Sequence, residues 1–120
     1  LATKAEARNQ ALQLLGVLQL GQSAQSQDAT ELETAYTEVY AGLKEEGLAT
    51  WAEAGSAIPD KVVPHLVSLM ALSRTDTYGV SDSRYQRILN RAGANGRIAK
   101  REIRKVTTPD YESLDEPTDY

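Results

Sequence analysis

His65 is the only histidine of the chain and the first residue to test for chemistry. A metal site needs further Cys, His or carboxylate ligands at matching spacing, and a general base needs a partner that orients it. Neither accompanies His65, which falls at the polar boundary of an apolar segment and reads as a structural residue. The absence of Cys removes thiolate ligands and disulfides. Glu31, Glu33, Glu38 and the Glu45-Glu46 pair could act as paired carboxylates in acid/base work. Solvated helix faces and the positive end of a helix dipole account for them more simply. There is no G-x-S-x-G, Walker loop, H-E-x-x-H or dinucleotide fingerprint, and the G-A-N-G of residues 93–96 lacks a preceding strand. The chain is therefore expected to be no enzyme and to hold no metal or cofactor.

Charge is the stronger signal, because its sign changes twice. Residues 82–105 carry Arg84, Arg87, Arg91, Arg97, Lys100, Arg101, Arg104 and Lys105 against only Asp82 and Glu102. The following residues hold Asp110, Glu112, Asp115, Glu116 and Asp119 without one cation. The first 81 residues are also acidic, and the whole chain has a formal charge of −4. These eight cations, with Tyr111 just beyond them, form the candidate interface. A basic amphipathic helix is a solvated face, a phosphate-binding surface or a docking site for an acidic protein. No recognition-helix signature precedes it, no aromatic interleaves with it on the same face, and the sequence pI is about 5.0, so a protein partner fits better than nucleic acid.

The elements that position this stripe are helical. A length of 120 residues gives one domain, and its hydrophobic and charged fractions of 41% and 25% are those of a soluble globular protein. No apolar run reaches the roughly 20 residues that cross a bilayer, so no membrane contact is expected. The fold class is all-α: a bundle of about four helices, a long C-terminal basic helix and an extended acidic tail. Residues 1–81 make the bundle core, 82–106 the basic helix or arm and 107–120 the tail.

Thr3 and Glu6 form a T-x-x-E capping box before a face of Ala5, Leu12 and Leu15, and Gly16 ends that helix. Leu32, Ala35, Tyr36, Val39, Tyr40 and Leu43 recur at helical spacing and predict a helix over about 28–46, capped by Ser26 or Asp28 and closed by Gly47. Residues 48–58 read as a turn-like connection anchored by Trp51 and Ile58. Pro59 opens the third, most apolar helix, with Pro64 delaying or kinking it, and Gly79 stops it with Val80 packing back. Ser81 or Ser83 caps the basic segment. There Tyr85, Ile88, Leu89, Ala92, Ala99 and Ile103 keep one apolar phase through the G-A-N-G stretch, so one long helix with a soft centre is expected, with Ile98 on its basic side.

The order of these segments resembles a known family. Ala11 and Leu14-Leu15-Gly16-Val17, the run Glu45–Trp51, Ile58-Pro59, Tyr78-Gly79-Val80 and the basic helix follow one another as in the head-to-tail connector, or adaptor, proteins of tailed phages. The likeness covers roughly residues 5–105. It implies a structural virion protein at the head–tail junction, made in the host cytoplasm. Such proteins form a ring, generally dodecameric, under the portal protein. The ring extends the DNA channel, helps to retain the packaged genome without sequence-specific contact, and offers a platform to a tail or nozzle protein. It also implies that the basic helix and the tail reach toward the portal. The alternative is a small helical regulator that binds nucleic acid through residues 84–105.

Overall fold

A computed structural model describes residues 1–107 of the chain. Among these residues the fold is all-helical: α1 (Lys4–Leu15), α2 (Ser26–Glu45), α3 (Val63–Ser73), the single turn α4 (Thr75–Tyr78), α5 (Asp82–Ala92) and α6 (Arg97–Thr107). The expected all-α bundle is present. Its long basic helix is not, because α5 and α6 are separate.

The capping box forms as its spacing dictates. Thr3 Oγ1 accepts from the Glu6 N–H at 3.2 Å, and the Glu6 carboxylate accepts from the Thr3 N–H at 2.8 Å. Gly16 adopts the left-handed conformation that closes α1. The buried face of α1 is Ala7, Ala11, Leu12 and Leu15, while Ala5 is exposed. In α2, Leu32, Ala35, Tyr36, Tyr40 and Leu43 are buried and Val39 is half-buried. Neither Ser26 nor Asp28 caps it: Gln25 takes the N-cap position without a side-chain bond, and Asp28 accepts from the Tyr78 hydroxyl at 3.1 Å.

The connection 48–58 is held through its backbone. Ala2 and Ile58 exchange two hydrogen bonds of 2.8 and 2.7 Å, and the Lys4 N–H donates to the Gly55 carbonyl at 2.6 Å. Gly55 is required there, since its φ is +70° and a Cβ would lie 2.7 Å from Lys4 Cβ and 3.0 Å from the Tyr36 hydroxyl. Trp51 donates its indole N–H to Tyr36 at 2.9 Å and packs edge-on against Tyr40, whose hydroxyl donates to the Trp51 carbonyl at 2.6 Å. Trp51 and Ile58 are both buried, as expected of anchors.

The third helix starts at Val63 rather than Pro59, with Pro64 in its first turn. Proline is tolerated there because the first N–H groups of a helix have no internal partner. Pro59 instead accepts in a turn from the Val62 N–H at 3.0 Å. Seven of the eleven residues of α3 are buried, including the unbroken run Leu66–Ala71, and α1, α2, α5 and α6 all pack against it. A break at Arg74 sets off α4, after which left-handed Gly79 turns the chain and Val80 packs back onto the core.

The separation of α5 and α6 corrects the expectation of one long helix. Gly93 and Gly96 have φ of +82° and +75°, and Asn95 sits in the left-handed region at φ 58°. The Gly93 N–H closes α5 on the Leu89 carbonyl at 2.6 Å. Four residues amount to about 1.1 helical turns, so a four-residue turn restores the apolar phase as well as a continuous helix does. The preserved phase reports docking on α3 by two helices, each through its own pair: Ile88 and Ala92 from α5, Ala99 and Ile103 from α6. Both glycines also stand at close approaches, since a Cβ on Gly96 would overlap Leu69 of α3 and one on Gly93 would meet Ile98. Ile98, half-buried, thus lies close against the backbone of Gly93.

Candidate functional site

The two helices place the eight cations rigidly, but not on one surface. Ser81 caps α5 by accepting from the Arg84 N–H at 3.3 Å, which fixes the rotation of the helix. Arg84 then points inward. Its Nη1 donates to the Leu14 carbonyl at 3.1 Å, and a Cβ at Gly16 would lie 2.8 Å from its Cζ. No basic residue lies in the last turn of α1, so Arg84 supplies from a distant helix the cation favoured at that negative end. Arg91 bonds the Pro64 carbonyl at 3.3 Å, and Lys100 pairs with Glu46 beyond the end of α2 at 2.9 Å. These three cations fasten α5 and α6 to the bundle.

The remaining five face outward. Arg87 and Arg97 are exposed and have no hydrogen bond or ion pair among the described residues. Arg101 and Lys105 approach the same carboxylate, Glu102, at 3.9 and 3.2 Å, with side chains 62% and 63% exposed. Arg104 is exposed as well. Arg97, Arg101, Arg104 and Lys105 stand at i, i+4, i+7 and i+8, a row about 12 Å long along the outer face of α6. Behind it Ala99 and Ile103 are fully buried, so the row is held by a core helix and needs no partner to form. Tyr111 lies outside the described residues.

The acids of α2 are largely matched within the fold. Arg8 bonds Glu33 at 2.7 Å, and Arg74 reaches Glu31 at 2.6 Å and Glu38 at 3.1 Å. The Tyr78 hydroxyl is pushed up to about 12 by burial and by its bond to Asp28. Burial likewise raises Tyr36, partly offset by the bond from Trp51. These shifts belong to packing. His65 is half-buried on α3, and among the described residues no three His, Cys, Asp or Glu side chains gather as a metal site would require.

A second surface was not singled out from the sequence. Val39, Leu43, Leu69 and Leu72 line a cleft of about 320 Å³ between α2, α3 and the Gly93–Gly96 turn, with Glu38 and Lys100 at its rim. Its signal was present in Val39 and Leu72, apolar positions at the edges of their helices, but no periodicity shows that two edges meet. No helix among the described residues is long and apolar enough to cross a membrane. Compared with known proteins, the chain matches no family model, no curated protein and no solved structure.

Proposed function

We propose that this chain is a head-to-tail connector of a tailed-phage virion, and that the outer row of α6 is its docking surface for an acidic face of the portal protein. The observation that carries the reading is the rigid presentation of Arg97, Arg101 and Lys105 on a helix whose other side is buried in the bundle. The guanidinium groups of Arg97 and Arg101 can hold carboxylates bidentately, and the backbone that carries them is already ordered before binding. The acidic balance of the whole chain, with a formal charge of −4, favours a protein partner over DNA. A ring of such wedges requires heterologous contacts that close on themselves, and the motif order shared with connectors supplies that expectation. The chain then acts without catalysis, cofactor or metal, lining a passage for packaged DNA and presenting its far side to a tail or nozzle protein.

The experiment is to combine the chain with the portal of the same virion and measure the mass and image of the product. A ring under the portal is expected, dodecameric if it follows the connectors, and Arg97→Glu with Arg101→Glu should abolish attachment. The doubly reversed chain should keep its fold, because exposed charges contribute little to stability. Nanomolar binding of the isolated chain to a defined duplex site, with docking retained by the double reversal, refutes the connector and leaves the nucleic-acid regulator.

A further inference from the structure

Leu20 is the most exposed large apolar side chain among the described residues, 89% free, while Tyr85 and Val106 are less than half as exposed. It stands at the apex of a tight turn rather than on a loose loop. The Gln22 N–H donates to the Gln19 carbonyl at 3.0 Å, and the Gln22 side-chain oxygen accepts from the Gln19 N–H at 3.0 Å. Gly21, at φ +87°, fills the position where a type II turn requires positive φ. Around this apex residues 9–27 carry no charged side chain, although 25% of the chain is charged. An apolar anchor in surroundings depleted of charge has the make-up of an interface core.

The matching hollow is the cleft between α2, α3 and the Gly93–Gly96 turn. Leu43 and Leu69 are buried at it, and half-buried Val39 and Leu72 edge it. Its volume of about 320 Å³ is at the small end for a ligand cleft and suits a side chain or two better than a large ligand. The rim charges are already paired, Lys100 with Glu46 at 2.9 Å and Glu38 with Arg74 at 3.1 Å, so an uncharged occupant leaves no lone ion stripped of water. Gly42 lines the same cleft from inside α2, where glycine weakens a helix relative to alanine. A Cβ there would meet nothing within 4 Å, so no contact within the described residues calls for glycine. An incoming group that must approach α2 closely does.

We propose that Leu20 of one copy of the chain seats in the Val39–Leu43–Leu69–Leu72 cleft of the next copy. The two halves of the contact lie on opposite sides of α3. Leu20 borders a shallow cleft with Val67 on the α1 side, whereas Leu69 and Leu72 stand about 160° and 140° around α3 from Val67. Two copies facing each other cannot satisfy both halves at once. Each copy therefore gives its turn to one neighbour and its cleft to the other, which is a heterologous contact. The contact stands on the turn, the cleft and Gly42; its closure into a ring under a portal rests on the connector reading.

The chain has no cysteine, so single thiols can be placed beside each half of the contact. Gln19→Cys flanks the exposed Leu20, and Ser73→Cys lines the cleft. Chains carrying one or the other are mixed and oxidised, with and without the portal. They should form the mixed disulfide about tenfold faster than Gln19→Cys mixed with Ser83→Cys, an exposed site on α5. The excess should persist near 0.5 M salt, because an apolar contact is not screened. Adding Leu20→Asp to the first chain, or Gly42→Leu to the second, should return the rate to that of the control pair while the helical circular dichroism stays unchanged. Equal rates for the two pairs in both conditions overturn the contact, as does an excess that salt removes or that either substitution leaves intact. Faster coupling of Gln19→Cys to itself overturns it too, by making the contact symmetric. A ring on the portal without the excess keeps the connector reading and sinks the contact. The excess without docking on the portal keeps the contact and removes the connector reading.

Discussion

Ile103→Ala distinguishes a core helix from an arm that orders on docking. Ile103 is fully buried on α6, four residues after Ala99, and faces the helix on which every other long helix packs. The substitution removes three buried carbons, at about 0.8 kcal/mol each, or ~2.4 kcal/mol of transfer free energy. The void left against α3 adds to this, because close-packed neighbours relax only in part, and the total should reach about 3–4 kcal/mol. Urea unfolding is the assay, followed at once by Trp51 fluorescence and far-ultraviolet circular dichroism. With a slope of about 1–3 kcal/mol per molar urea, the midpoint should fall by more than 1 M in both signals together. Trp51 lies among Tyr36 and Tyr40 of α2, so a shift in its transition reports loss of the whole bundle. A change under about 0.5 kcal/mol, or a helical signal lost before the Trp51 transition, would show that α6 is no part of the cooperative unit.

Gly96→Ala must place a side chain at positive φ and against Leu69, so it should cost about 2–4 kcal/mol in the same unfolding assay; a neutral result would refute the close approach of the turn to α3. Arg84→Ala should destabilise by about 1 kcal/mol through loss of the cap on α1, and Arg84→Lys should recover only part of it. An equal effect from Arg87→Ala would deny Arg84 that role. Tyr78 has a folded pKa of about 12 against its ordinary 10, so its contribution to stability is complete below pH 10 and is lost as the pH rises toward 12. Tyr78→Phe should flatten the stability profile in that window, and an unchanged slope would mean that the Asp28 bond is not made in solution.

Much of the bundle could be read from residue types. The capping box at Thr3 and Glu6, the stop at Gly16 and the buried face of α2 each depend on neighbours within a turn or two, where sequence spacing and spatial proximity coincide. The failures lie where they do not. A four-residue turn and a continued helix leave the same apolar phase, so the break at Gly93–Gly96 was hidden from periodicity; its true signals are Asn95 in a left-handed conformation and the space Gly96 must leave for Leu69. The candidate site was legible as a set of cations but not as a surface. Arg84, Arg91 and Lys100 look like Arg87 and Arg97 in a helical projection. Only the positions of Leu14, Pro64 and Glu46 show that three of them are committed to the fold.

The bond between Arg84 and Leu14 also bears on how the chain is made. It joins positions 70 residues apart, and α3 at the centre is clad by helices that come both before and after it in the sequence. During synthesis α1, α2 and α3 emerge first, with the apolar side of α3 that α5 and α6 will cover still bare. At about 5–20 residues per second that surface is open for several seconds. Until α5 and α6 are made, the nascent chain carries a bare apolar flank on α3, the kind of surface that makes an incomplete domain prone to association. Closure of the bundle waits for the last helix, so the fold and its basic face are completed in the same late step.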